Sequence, residues 1–254
     1  MLCRVFPHIL VGFSLVVYTW SCSAPAVDPY QPVDPAAQHP YFPLAIGKYV
    51  DYFVDSIVYD FATGGGIRRD SSRTLVREMV VDSVRDDAGQ PVFIIERLER
   101  RSDTAAWAIR QVFSAARTPT QAIRTENNLR FLKLVFPFDR RSAWDGNLWI
   151  DPYQEIEVAG ERIRPFVNWR YEVDSLDIPG VVGTFAFDSV LVVTEVDETN
   201  AIERRFSRLK YAKHIGLVYR EQWILDSQYC NQVPPPPDCL TKPWEEKAER
   251  GYMV

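Results

Sequence analysis

The stretch Lys48–Phe61, KYVDYFVDSIVYDF, constrains the fold of this chain more than any other. It sets Tyr, Phe, Val and Ile in rough alternation with Asp, Ser and Lys. Aromatic and β-branched side chains suit a pleated, half-buried surface and lose rotamer freedom in a helix, so this stretch reads as a strand. The pattern then recurs along the chain. Strand composition reappears over Arg73–Val84, Pro91–Arg101, Ala105–Ala115, Gln121–Glu126 and Leu129–Phe138. It continues over Tyr153–Val158, Val167–Leu176, Thr184–Glu195, Glu203–Lys213 and Leu217–Ser227. Turn residues separate these runs at Thr63–Gly66, Asp86–Gly89, Ala159-Gly160, Pro179-Gly180, Gly183 and Thr199-Asn200. Roughly ten strands joined by short turns predict an all-β fold with a single antiparallel domain. A sheet of that size is expected to curl into a barrel-like form or fold into a sandwich. After Cys239, Pro243, Glu245-Glu246 and Gly251 carry the start, first-turn and stop signals of one short C-terminal helix.

The first residues carry a different signal. Arg4 precedes a mostly apolar run over Val5–Tyr18, which ends at Thr19-Trp20-Ser21-Cys22. That is the layout of a secretory signal over residues 1–21 with a lipid-accepting Cys22. The apolar run falls short of the ~20 residues of a membrane helix and contains Pro7 and His8. The expected partner is therefore a membrane, reached through lipid on Cys22. The expected location is the cell envelope, as an exported outer-membrane lipoprotein. Residues 22–40 hold Pro25, Pro29, Pro32, Pro35 and Pro40 and few large side chains, so they read as an extended tether. Residues 41–254 then form the β domain.

Charge excludes one class of partner. Arg4 is the only charge before Cys22, so the exported chain has one cation fewer than the 29 Lys and Arg of the whole sequence, against 34 Asp and Glu. A nucleic-acid binder needs clustered positive charge, and none is expected as a partner here. The four cysteines divide by position: Cys3 leaves with the signal, Cys22 takes lipid, and Cys230 and Cys239 remain. In an oxidising compartment that pair is expected to form a disulfide contributing roughly 2.7 kcal/mol on a chain-entropy argument.

Three segments carry a resemblance. Tyr41–Asp60 (YFPLAIGKYVDYFVDSIVYD), Leu129–Asn147 (LRFLKLVFPFDRRSAWDGN) and Tyr211–Gln222 (YAKHIGLVYREQ) are similar to segments of uncharacterised Bacteroidota-type envelope lipoproteins. The resemblance implies a lipoprotein and an envelope location, and it implies no chemistry. Thr19 departs from that family's pattern, which has an aliphatic residue three before the cysteine.

Candidate chemistry is sparse. Only His39 and His214 follow the signal, and no Gly-x-Ser-x-Gly elbow or His-Glu-x-x-His run is present, so no catalytic residue, metal site or cofactor is assigned. The triple glycine at Gly64–Gly66 lacks a following Gly-Lys-Ser/Thr and reads as a hairpin tip rather than a phosphate cradle. The candidate ligand-binding group is Trp144, Asp145, Trp149 and Asp151, where two carboxylates lie near aromatic faces suited to a sugar. The alternative is an Asp-Gly turn with tryptophans capping the sheet. Three functions stay open: a non-enzymatic interaction or structural module with a protein partner in the envelope, a carrier or sensor of an apolar ligand in the curled sheet, and a carbohydrate-active hydrolase using paired carboxylates.

Overall fold

The computed structural model describes residues 4–7, 18–21 and 34–254. Two short strands near the N-terminus, β1 (Arg4–Pro7) and β2 (Tyr18–Ser21), pair antiparallel with Arg4 opposite Ser21. They belong to a unit separate from Asp34–Val254. Cys22 and most of the signal lie outside the described residues.

In the larger unit the alternating stretches become a meander. The first half runs β3 (Tyr49–Phe61), β4 (Ile67–Arg85), β5 (Pro91–Arg100), β6 (Ala108–Arg117), β7 (Gln121–Glu126) and β8 (Leu129–Val135). A two-residue strand, β9 (Ala143–Trp144), follows, and then a small separate hairpin of β10 (Ile156–Val158) and β11 (Glu161–Ile163). The second half runs β12 (Tyr171–Val182), β13 (Phe185–Thr199), β14 (Glu203–Ala212) and β15 (Gly216–Asp226). One helical turn, α1 (Trp244–Lys247), leads to a last strand, β16 (Arg250–Met253). All pairings are antiparallel, in the order β8-β7-β6-β5-β4-β3-β16-β15-β14-β13-β12-β9.

The expected all-β antiparallel fold is what forms, as one nearly closed barrel-like sheet. It holds twelve strands where about ten were read. The extra strands are the shortest, too brief to show a period. Pro179-Gly180, read as a break, lies inside β12, where repeated register shifts against β13 absorb the missing donor. The C-terminal helix is a single turn. The residues taken as its end instead form β16, which slots between β3 and β15 and joins the two meanders.

The two outer strands then meet. The Leu132 N–H on β8 donates to the Gly146 carbonyl at 2.8 Å, and the Trp144 indole on β9 donates to the Leu132 carbonyl at 2.9 Å. Inside, Val80, Ile95, Phe113, Leu191, Val193, Leu209 and Ile224 form one apolar core. One end of it is plugged by a 3-10 turn over Pro35–Tyr41. Gln38 there donates to the Phe138 carbonyl at 2.6 Å and accepts from the Phe138 N–H at 2.7 Å. The last part of the stretch read as tether is thus packed on the barrel. Outside, Tyr59, Leu225 and Ala248 form a second small cluster that seats α1.

The expected disulfide is absent: Cys230 and Cys239 are free thiols. They lie close enough for hydrogen bonding between the two sulfurs, which helps push the Cys239 thiol upward, and this is a contact rather than a bond.

Candidate functional site

The residues singled out from sequence fall at the barrel seam and just beyond it. Asp145 accepts the Asn147 N–H at 2.9 Å, the local turn that Asx side chains favour. Asp151 does the same for the Tyr153 N–H at 2.9 Å. Trp144 packs on Tyr171 with ring centroids 5.8 Å apart, and its indole holds β8. Gly146 is required by close approach, since a Cβ there would stand 2.3 Å from the Tyr171 ring. Trp149, partly exposed, lies under the Arg130 guanidinium at 4.2 Å. Trp144 and the Gly146 carbonyl therefore close the sheet, and each carboxylate is engaged by a backbone N–H.

A second group was invisible in sequence. Charged residues at lining positions of β4, β5, β7, β8, β13 and β15 meet inside the barrel. Arg124 forms a two-pronged pair with Glu78 at 2.9 Å and a further pair with Glu126. Arg220 reaches Glu126 at 3.7 Å and Gln222 at 2.9 Å. Arg97 reaches Glu99 at 3.3 Å. Deeper in, Lys133 pairs with Glu195 at 2.7 Å, and Ser207 donates to the other Glu195 oxygen at 2.6 Å. Glu195 is fully buried. Cations and carboxylates thus alternate along the interior.

Burial works to raise both glutamates, but the surrounding cations outweigh it. Lys133 and Arg220 lower Glu195, while Arg124, Arg220, Lys133 and Arg97 bring Glu126 down to about 2 from an ordinary 4.5. A carboxyl depressed in the folded state stabilises fully above its unfolded value and loses that contribution as pH falls through the folded one. Stability is therefore expected to fall between about pH 4.5 and pH 2. Urea midpoints across that window check this. A Glu126→Gln chain should be less stable at neutral pH and vary less with pH over the same range.

The interior opens at one end into a cleft of about 660 Å³ between β4, β5 and the β5–β6 loop. Ser72 and Thr74 share the lining face of β4 with Val76, and Glu99 stands opposite Val76 on β5 and opposite Ala108 on β6. Arg100 stacks on Trp107 at 4.5 Å and donates to the Asp103 carbonyl at 2.9 Å, which orders the loop carrying Arg101, Ala105 and Ala106.

Two further polar groups bear on chemistry. Asp177 accepts from the Tyr41 and Ser189 hydroxyls, each at 2.7 Å, and from Lys213. Burial pushes Tyr41 up to about 12, and although burial opposes it, Lys213 and the two hydroxyls hold Asp177 at about 2. Neither group is poised to exchange a proton near neutral pH. His214, on an exposed turn with φ 66°, donates its backbone N–H to the Pro40 carbonyl and accepts from Lys48 at its own carbonyl. Among the described residues no three His, Cys, Asp or Glu side chains converge as a metal site.

The chain matches no family model, no curated protein and no solved structure.

Proposed function

We propose that the protein is an exported binding module, tethered to the cell envelope by lipid on Cys22, that acts by association rather than turnover. The observation that carries this reading is the barrel interior, filled by its own apolar core and its own paired charges. An apolar carrier needs an apolar cavity of several hundred cubic ångströms. The cleft of that size here is lined largely by arginines and alanines and opens to solvent.

The outer wall supports the same reading. Tyr49, Met79, Glu96 and Val112 stand in one cross-strand row, and Asp51, Arg77, Leu98 and Ile109 in the next. Phe53, Tyr49, Ile109 and Val112 are exposed, and the Arg77 guanidinium lies between Tyr49 at 4.3 Å and Trp107 at 4.8 Å. Aromatic side chains and arginine on a rigid sheet are the composition of protein contact surfaces.

Native mass spectrometry tests the proposal. Residues 23–254, exported behind a signal that adds no lipid and purified without detergent, are expected to fly without an apolar passenger. A reproducible apolar mass, lost on denaturation, would establish the carrier instead. The same spectrum shows whether Cys230 and Cys239 lose two hydrogens to form a bridge in an oxidising compartment.

A further inference from the structure

The cleft at the open end of the barrel concentrates positive charge in a chain whose formal charge is −5. Its arginines are not equivalent. Arg73 is spoken for by Asp55, through a two-pronged pair with one contact at 2.7 Å. Arg100 is held by Asp103 at 3.2 Å and by Trp107. Arg110 reaches Glu99 only at 3.9 Å, and Glu99 is shared with Arg97 at 3.3 Å. Arg101 is exposed and forms no ion pair among the described residues. Among the described residues Arg101 and Arg110 therefore have one ion-pair partner between them, Glu99 at 3.9 Å from Arg110, which leaves positive charge and unused guanidinium donors at the rim.

The rest of the lining sets the class of occupant. Ser72 and Thr74 bring hydroxyls to the same wall, and Ala105, Ala106 and Ala108 leave the opposite side low. Guanidinium forks match phosphate oxygens in charge and geometry. A volume of about 660 Å³ exceeds what a bare anion fills and suits an anion carried on a polar body. We infer that this cleft binds a phosphorylated sugar or polyol, with Arg101 and Arg110 on the phosphate and Ser72, Thr74 and Glu99 facing the hydroxyls. The inference rests on the binding-module reading and names what that module recognises at its mouth.

Calorimetry on residues 23–254 at low salt tests it with glucose 6-phosphate, glucose and inorganic phosphate. Vesicles of phosphatidylcholine containing phosphatidylinositol 4-phosphate form a separate arm, read by co-sedimentation. Saturable binding of glucose 6-phosphate, weaker for glucose and for inorganic phosphate, identifies a free sugar phosphate. Binding confined to the phosphorylated vesicles identifies a lipid headgroup. In either case Arg101→Ala and Arg110→Ala should each weaken binding roughly tenfold or more, and raised salt should weaken it further. Glu99→Gln should tighten it by removing a competing carboxylate. Both arginines are at the surface, so urea midpoints should stay unchanged and separate lost binding from lost folding. Absence of saturable binding in every arm, or equal binding by the Arg101→Ala/Arg110→Ala chain, would overturn the inference. Release of inorganic phosphate from a bound probe would overturn the non-enzymatic reading instead and leave the site standing.

Discussion

A Gly251→Ala chain is expected not to complete its barrel. Gly251 sits in β16 with φ 109°, a conformation that L side chains rarely adopt. It is opposite Leu225 on one side and Tyr59 on the other. A Cβ at this position would stand 1.9 Å from the Ile224 carbonyl oxygen and 3.1 Å from the Leu225 Cα. Both are backbone atoms, so no side-chain rotation relieves the clash. The neighbouring strand would have to move, and β16 is the strand that joins β3 to β15. The expected loss is about 4 kcal/mol or more, well above the ordinary range for one methyl group. Urea unfolding with near-ultraviolet circular dichroism reads it, with Met253→Ala as the comparison. A midpoint within experimental error of the parent chain would mean that β16 does not join the sheet as described.

Replacing Lys133 with Met is expected to cost about 3–5 kcal/mol, because it strands a carboxylate deep in the barrel. Glu195 has no solvent exposure, and Lys133 Nζ at 2.7 Å is its one ion-pair partner within 4 Å among the described residues. Ser207 supplies a hydrogen bond but no charge. Removing the charge at both ends should behave differently. A Lys133→Met/Glu195→Gln chain should recover a large part of the loss, since a neutral amide carries a far smaller desolvation cost than a carboxylate. The double-mutant cycle is the decisive measurement. Strictly additive losses would show that the two groups do not share one buried pair.

The large features of the fold were legible because local chemistry sets them. The alternation of KYVDYFVDSIVYDF specified β3, and the glycines at 64–66 and 89 specified the reversals that follow it. What escaped was set by distant partners. Arg250–Met253 is four residues long, and its glycine looks like a helix stop until the neighbouring backbone is in view. Arg124, Glu126 and Arg220 alternate along their strands as solvent-facing charges do, and sequence does not mark which side of a curled sheet is the inside. The aromatic and acidic residues around the Asp-Gly turn read as a candidate ligand-binding group, with a turn capped by tryptophans as the alternative. Trp144, with the Gly146 carbonyl, holds the seam of the barrel, a role that depends on β8 arriving from elsewhere in the chain.

The position of β16 also fixes the order in which the molecule can be assembled. Ribosomes deliver the chain from its N-terminus, so the six-strand meander of β3–β8 emerges first and the meander ending in β15 later. Each can zip up locally, strand by strand. The two can meet along the seam of β8 with Trp144 and Gly146, but their other junction waits for Arg250–Met253, because the strand that lies between β3 and β15 follows both meanders in the chain. The slow, long-range closure is thereby deferred until both meanders have been made. Until then the two meanders share one junction, and the sheet stays open between β3 and β15.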